Sequence, residues 1–267
     1  MLLSHIVFLA LIQGLTEFLP ISSSAHLVLP SELLGWPDQG LAFDVAVHVG
    51  TLLAVLCYFR RDFTLLIYGW LRQLRGGGSS YHARLAWMLI VGTLPAVVAG
   101  LLLNDFVETH LRSMLVIGIA TLGFGVLLGY ADLARTERRT TRDMNWRDVL
   151  IIGGVQALAL VPGTSRSGIT MTAGLMLGLR RRAAARFSFY LSVPLIVAAG
   201  SYKTLELIKL QASAPWLDIG LGVILSAISA YTCIHLFLAL LNRIGMLPFV
   251  LYRLVLGALL IGVYFLI

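Results

Sequence analysis

Two short polar stretches interrupt an otherwise apolar chain. They are "QGLTEFLPISSSAH", Gln13 to His26, and "LVPGTSRSGIT", Leu160 to Thr170. The first holds the carboxylate of Glu17, the hydroxyls of Ser22, Ser23 and Ser24, and the imidazole of His26. The second holds Gly163, Thr164, Ser165, Arg166, Ser167 and Thr170 around a proline. Gln13 and Glu17 are four apart and share one helix face. Proline with small polar residues marks a backbone turn, so a new helix should start near Ser22 and another near Ser165. A helix start aims unpaired N–H groups and about half a positive charge at what lies before it. One hydroxyl would cap each helix; the surplus hydroxyls need another use. Together with a guanidinium fork that matches phosphate geometry, they fit a polyanion such as a diphosphate better than a single carboxylate. Glu17 is then a candidate general base, or a ligand for a divalent cation on the phosphates. His26, one turn past the serines, is a candidate acid or base. His5, His82, His110 and His235 read as packing residues; so does His48, with the reservation that it faces an early span.

These groups must be held at membrane depth. The chain has 267 residues, 58% hydrophobic and 12% charged, against about 25% charged in soluble domains, and its mean hydropathy is +0.89. That composition implies an all-α polytopic membrane protein of one domain, residues 1–267. The net charge of +7 does not indicate nucleic-acid binding, because the arginines cluster in short loops between apolar runs, a topogenic pattern. Cys57 and Cys233 lack ligand spacing and read as small packing residues. The N-terminal run has no basic leader, and Gln13 and Glu17 fall where a cleavage site should be, so it reads as part of the mature chain.

Six runs have spanning length: Leu41–Phe59, Leu85–Leu103, Met114–Ala131, Phe187–Ser201, Ile219–Leu241 and Leu247–Ile267. Residues 5–34 and 149–179 are broken at the two polar stretches, and neither half of either could cross alone. Irregular backbone at this depth is tolerated only when buried in protein or lining a cavity, so both read as re-entrant hairpins. Loops 60–84 and 133–148 and the segment 180–186 are arginine-rich, whereas loops 104–112 and 203–218 are not. The positive-inside rule places the rich face in the cytoplasm and both termini outside. "LRGGGSS" near Gly76 reads as a flexible linker. Arg253, one turn inside the last span, should snorkel; Arg166 alone among the cations has no such escape. A charge at the bilayer centre costs roughly 2.5–3.5 kcal/mol on insertion scales, so Arg166 and Glu17 should meet.

The two polar stretches resemble each other at an offset of 143 residues: Gln13 aligns with Gln156, and Ser22-Ser23-Ser24 with Ser165-Arg166-Ser167. Three spans follow each hairpin, so the second copy, about 148–267, should be inverted relative to the first, about 1–132, with the broken helices meeting at the midplane.

At these motifs the chain resembles the undecaprenyl-pyrophosphate phosphatase family of the bacitracin-resistance type. The likeness covers nearly the whole chain and rests on "QGLTEFLP" with its serine turn and His26, and on "PGTSRS", Pro162–Ser167. No "KxxxxxxRP" or "PSGH" motif of the other membrane phosphatase type is present. The resemblance implies hydrolysis of undecaprenyl diphosphate to the monophosphate in carrier-lipid recycling. It also implies a divalent cation, magnesium or calcium, and a site open to the outer face of a bacterial plasma membrane. By position it makes Glu17, His26 and Arg166 the functional trio and Ser23 a candidate nucleophile. Gln13 stands where the family motif admits an acid, which puts two-point metal coordination in doubt. The expected partners are a polyprenyl diphosphate, membrane lipids and a second copy of the chain. The rival reading is a lipid-phosphate flippase using the same arginine and hydroxyls without hydrolysis.

Overall fold

The computed structural model describes residues 2–36, 39–209 and 216–266. Ile267, expected to end the last span, and residues 210–215 of the loop expected at 203–218 lie outside these. The described residues are helical with no strand; a single isolated bridge pairs Arg139 with Leu179. In chain order the helices are α1 Leu3–Phe18, α2 Ser23–Leu34, α3 Leu41–Tyr58, α4 Arg60–Leu74, α5 Tyr81–His110, α6 Met114–Ala134, α7 Trp146–Gln156, α8 Arg166–Met176, α9 Arg181–Lys209, α10 Trp216–Ile244 and α11 Leu247–Leu266. Six of them, α3, α5, α6, α9, α10 and α11, are long and apolar enough to cross a membrane. Each overlaps one of the six expected runs, and the chain is an integral membrane protein.

Three expectations change. Residues 60–84 are not a slack loop, because α4 fills most of them. Its buried residues Phe63, Leu66 and Gly69 recur every three positions and pack on α5, a periodicity masked by the surrounding arginines. The second span begins at Tyr81, where the Ser80 hydroxyl accepts from the Ala83 N–H, and runs past Leu103 to His110. The fourth begins at Arg181 rather than Phe187. A hydropathy window ends at the first charges, whereas the helical ladder continues until something caps it. The loop after α6 is also ordered: Thr140 and Asp143 form a reciprocal cap, and the Thr140 N–H and hydroxyl hold the Asp143 carboxyl below its ordinary range.

The outer surface carries large apolar side chains such as Leu102, Leu133 and Val255, as a lipid-facing wall requires. Inside, α9 is the axis. It packs on α3, α5, α8 and α10, and 56% of its apolar window is buried against 22% for peripheral α11. Phe189 of α9 meets Phe18 of α1 edge-on with ring centroids 5.2 Å apart, and lies 5.8 Å from Phe237 of α10. Each such pair contributes about 0.5–1.5 kcal/mol beyond buried area. Helices α6 and α11 approach closely at Gly118 and Gly257: a Cβ on Gly257 would lie 2.9 Å from the Gly118 carbonyl oxygen. Small residues permit this packing where lipid offers no hydrophobic drive.

Candidate active site

Both polar stretches break a helix and restart it at a serine. Helix α1 ends at Phe18, and α2 starts after Ser22 at φ 74°, ψ 96°. Helix α7 passes through a short 3-10 turn, Ala157–Leu160, and α8 starts after Ser165 at φ 69°, ψ 110°. A non-glycine residue held at positive φ costs on the order of 1–3 kcal/mol and persists only where its surroundings impose it. The turn at 163 cannot take a side chain: at φ 93°, a Cβ on Gly163 would sit 2.4 Å from the Ile117 carbonyl oxygen.

Arg253 holds the two turns together. Its Nε donates to the Thr121 carbonyl at 3.0 Å and its Nη1 to the Pro20 carbonyl at 3.2 Å; Nη2 donates to the Gly163 and Thr164 carbonyls, both at 3.0 Å. The expected snorkelling does not occur: Arg253 is 1% exposed. Turn carbonyls have no helical partner, and a guanidinium offers five donors in a fixed fork. A second link is direct, Ser167 Oγ donating to the Leu19 carbonyl at 2.7 Å.

Between the turns, Glu17 and Arg166 meet as expected. Arg166 Nη2 donates to Glu17 Oε1 at 2.8 Å, and Arg166 Nη1 donates to the Ser188 carbonyl at 3.1 Å. Glu17 Oε2 accepts from Ser23 Oγ at 2.9 Å and from Gln13 Nε2 at 3.0 Å. A nucleophilic hydroxyl needs a base within hydrogen-bond reach, and the Ser23–Glu17 pair meets that geometric requirement. Glu17, Ser22, Ser23, Ser24, Ser165 and Arg166 line a cleft of about 490 Å³. Leu195 and Ile196 supply part of an apolar wall.

The remaining expected residues are in the frame around this cleft and do not line it. Gln13 orients Glu17. Gly163 and Thr164 give their carbonyls to Arg253, and Ser167 ties the turns. Thr170 Oγ1 donates to Ser188 Oγ at 2.8 Å. His26 has both ring nitrogens engaged, Nδ1 2.6 Å from the Ser22 carbonyl oxygen and Nε2 2.5 Å from the Tyr252 hydroxyl. A carbonyl can only accept, so Nδ1 carries the proton and Nε2 accepts from Tyr252.

Other groups enter the cleft that the motifs do not contain. His48 Nε2 lies 3.8 Å from Glu17 Oε2, and Asp44, Arg112 and Lys203 line the same cleft. Asp44 and His48 were partly legible, being four apart on one helix face. Arg112 and Lys203 carry no local signal, and neither does Tyr252.

Among the described residues no three His, Cys, Asp or Glu side chains cluster as a ready-made metal cage. The donor set still suits a hard cation that takes most of its ligands from phosphate and water. Glu17 offers charged oxygens, and Gln13 Oε1 is a buried oxygen without a partner.

Residues 6–259 match the profile of the family described as bacitracin resistance protein BacA. An undecaprenyl-diphosphatase of Hahella chejuensis is 63% identical over 257 residues, covering 95% of both chains. One from Teredinibacter turnerae is 62% identical, covering 97% of this chain and 98% of that one. An undecaprenyl-diphosphatase 2 of Stutzerimonas stutzeri is 56% identical, covering 98% of each.

Proposed function

This chain belongs to the bacitracin resistance protein BacA family, and on that premise we propose that it hydrolyses undecaprenyl diphosphate to undecaprenyl phosphate and inorganic phosphate. The observation that carries this reading is the Ser23–Glu17–Arg166 constellation between two converging helix starts.

The prenyl tail stays among the helices while the diphosphate enters the cleft. Phosphoryl transfer asks mainly for positioning and charge neutralisation. Arg166 and the N–H groups opening α2 and α8 face the terminal phosphoryl oxygens. Ser23 Oγ attacks the terminal phosphorus and its proton passes to Glu17 Oε2. The bond to the bridging oxygen breaks and the lipid leaves as its monophosphate. Water then attacks the phosphoserine and releases phosphate; in the variant without a serine intermediate, the same carboxylate activates that water directly. His26 acts by orientation, its Nδ1–H holding the Ser22 carbonyl beside Ser23. Glu17, with Gln13 Oε1, would hold a magnesium or calcium ion, which supplies further charge neutralisation on the phosphates when bound. All of these groups lie in one chain, so a second copy adds none of them.

The domain reading is a pair of repeats, about 1–132 and 148–267, inverted in the membrane, each opening with a re-entrant hairpin. The matching backbone at Ser22 and Ser165 supports it. So do the similar hydroxyl pairs, Ser22 with Ser24 at 3.1 Å and Ser165 with Ser167 at 3.2 Å. The arginine-rich loops argue for both termini, and the cleft, on the outer face of the bacterial plasma membrane.

The decisive assay is phosphate release from a prenyl diphosphate by purified protein in detergent. Tight binding without release would replace the hydrolase with a lipid-phosphate flippase. Phosphoserine trapped at residue 23 marks the serine route; full activity in Ser23→Ala removes it.

A further inference from the structure

A second polar pocket, of about 430 Å³, is lined by Phe59, Arg60, Arg61, Asp62, Arg182 and Arg186 among others. It shares α3 and α9 with the cleft already described but opens at their other ends. Ten residues separate His48 from Tyr58, and ten separate Arg186 from Ile196, about 15 Å of helix in each case.

Four arginines line this pocket against one carboxylate. Arg186 is fixed: its Nη2 donates to Asp62 Oδ2 at 2.7 Å and to the Tyr190 hydroxyl at 2.8 Å, and it lies 5.7 Å above the Phe59 ring. Asp62 is thereby engaged. Among the described residues no carboxylate lies within ion-pair distance of Arg60, Arg61 or Arg182. A belt of arginines at one membrane face is general, but a belt does not require a concavity with a pinned arginine in its wall. Beside the pocket α4 exposes Leu65, Ile67 and Tyr68, the apolar side chains of a helix lying at a membrane surface.

We infer that this pocket binds a phosphate-bearing anion, either the headgroup of an anionic lipid or free phosphate, separately from the reaction in the cleft. The test compares wild-type protein with the Arg61→Gln/Arg182→Gln double variant by native mass spectrometry. The probes are phosphatidylglycerol, phosphatidylcholine as the neutral control, and inorganic phosphate. Wild type should retain phosphatidylglycerol over phosphatidylcholine, with about thirtyfold weaker retention in the variant, as expected for two arginines acting on an anionic headgroup. If the difference between the two proteins appears with inorganic phosphate alone, the ligand is the free anion. Equal binding of both anions by both proteins overturns the inference. The charge-keeping Arg61→Lys/Arg182→Lys variant should retain most of the binding, and a loss as large as with glutamine would also overturn it. Unchanged phosphate release from a prenyl diphosphate in both variants reports an intact fold. Because binding is read without turnover, failure here is separable from failure of the hydrolase reading.

Discussion

At Ser22 and Ser165 the backbone makes the same unusual turn, with φ of 74° and 69°, and each turn pairs its serine with the one two residues on. Their chemistry differs. The first turn supplies Glu17 and a serine at position 23 that donates to it; the second supplies an arginine at the aligned position, 166. The capping serines also differ: Ser165 Oγ accepts from the Gly168 N–H, whereas Ser22 makes no such cap. A shared backbone thus carries unlike groups: a carboxylate and a hydroxyl on one side, a guanidinium on the other; in the proposed hydrolysis these are base, nucleophile and charge neutraliser. Such a site can be assembled from two similar frames, because the frame sets where a group sits and the side chain sets what it does.

The largest test of that division is Arg166→Ala. Turnover should fall by about 10³-fold or more, as for loss of a charge-stabilising arginine in phosphoryl transfer, and thermal unfolding should come somewhat earlier, because Glu17 is left buried without its ionic partner. Arg166→Lys should stay deeply impaired, because a point charge lacks the planar fork. A swapped pair, Glu17→Arg with Arg166→Glu, should keep the ion pair and the fold yet remain inactive; activity in the swap would make the two turns interchangeable.

Next comes Ser23→Ala, which should lower turnover by at least ~10²-fold if Ser23 carries the phosphoryl group. The aligned change on the other side has no counterpart, since Arg166 occupies that position. Ser24→Ala should cost far less, and equal losses at 23 and 24 would merge their roles.

Arg253→Met addresses what the turns share. It leaves the Pro20, Gly163 and Thr164 carbonyls without this donor, and hydrogen bonds to charged groups contribute about 1.5–3 kcal/mol each. Stability should drop by about 3 kcal/mol or more in thermal unfolding, with turnover reduced through both turns together. An unchanged melting temperature would show that the turns hold themselves.

The smallest effect belongs to Tyr252→Phe. It removes the hydroxyl that accompanies His26 Nε2 and should cost about 1 kcal/mol, within tenfold in turnover. Since the Tyr252 hydroxyl bonds His26 in the helix that follows the first turn, a larger loss would move His26 from orientation into the reaction.

The breaks were legible in the sequence because proline, glycine and serine act locally, and the Glu17–Arg166 meeting followed from the cost of isolated charge in lipid. The spans followed from hydropathy, though their ends did not, since caps such as Ser80 decide those. Helix α4 stayed hidden because arginines outweighed its three-residue repeat. The direction of His26 depends on how α2 is rotated about its axis, which no local pattern encodes. The same holds for Arg253, whose depth along α11 was visible but whose side was not.

Arg253 has a bearing on how the protein is made. Translation delivers the first turn early, the second midway, and the residue that joins them within the final helix. Until that helix enters the bundle, Pro20, Gly163 and Thr164 wait without their common donor. The protein should therefore gain its activity only at the close of synthesis, and chains halted before residue 253 should insert their earlier helices while remaining inert.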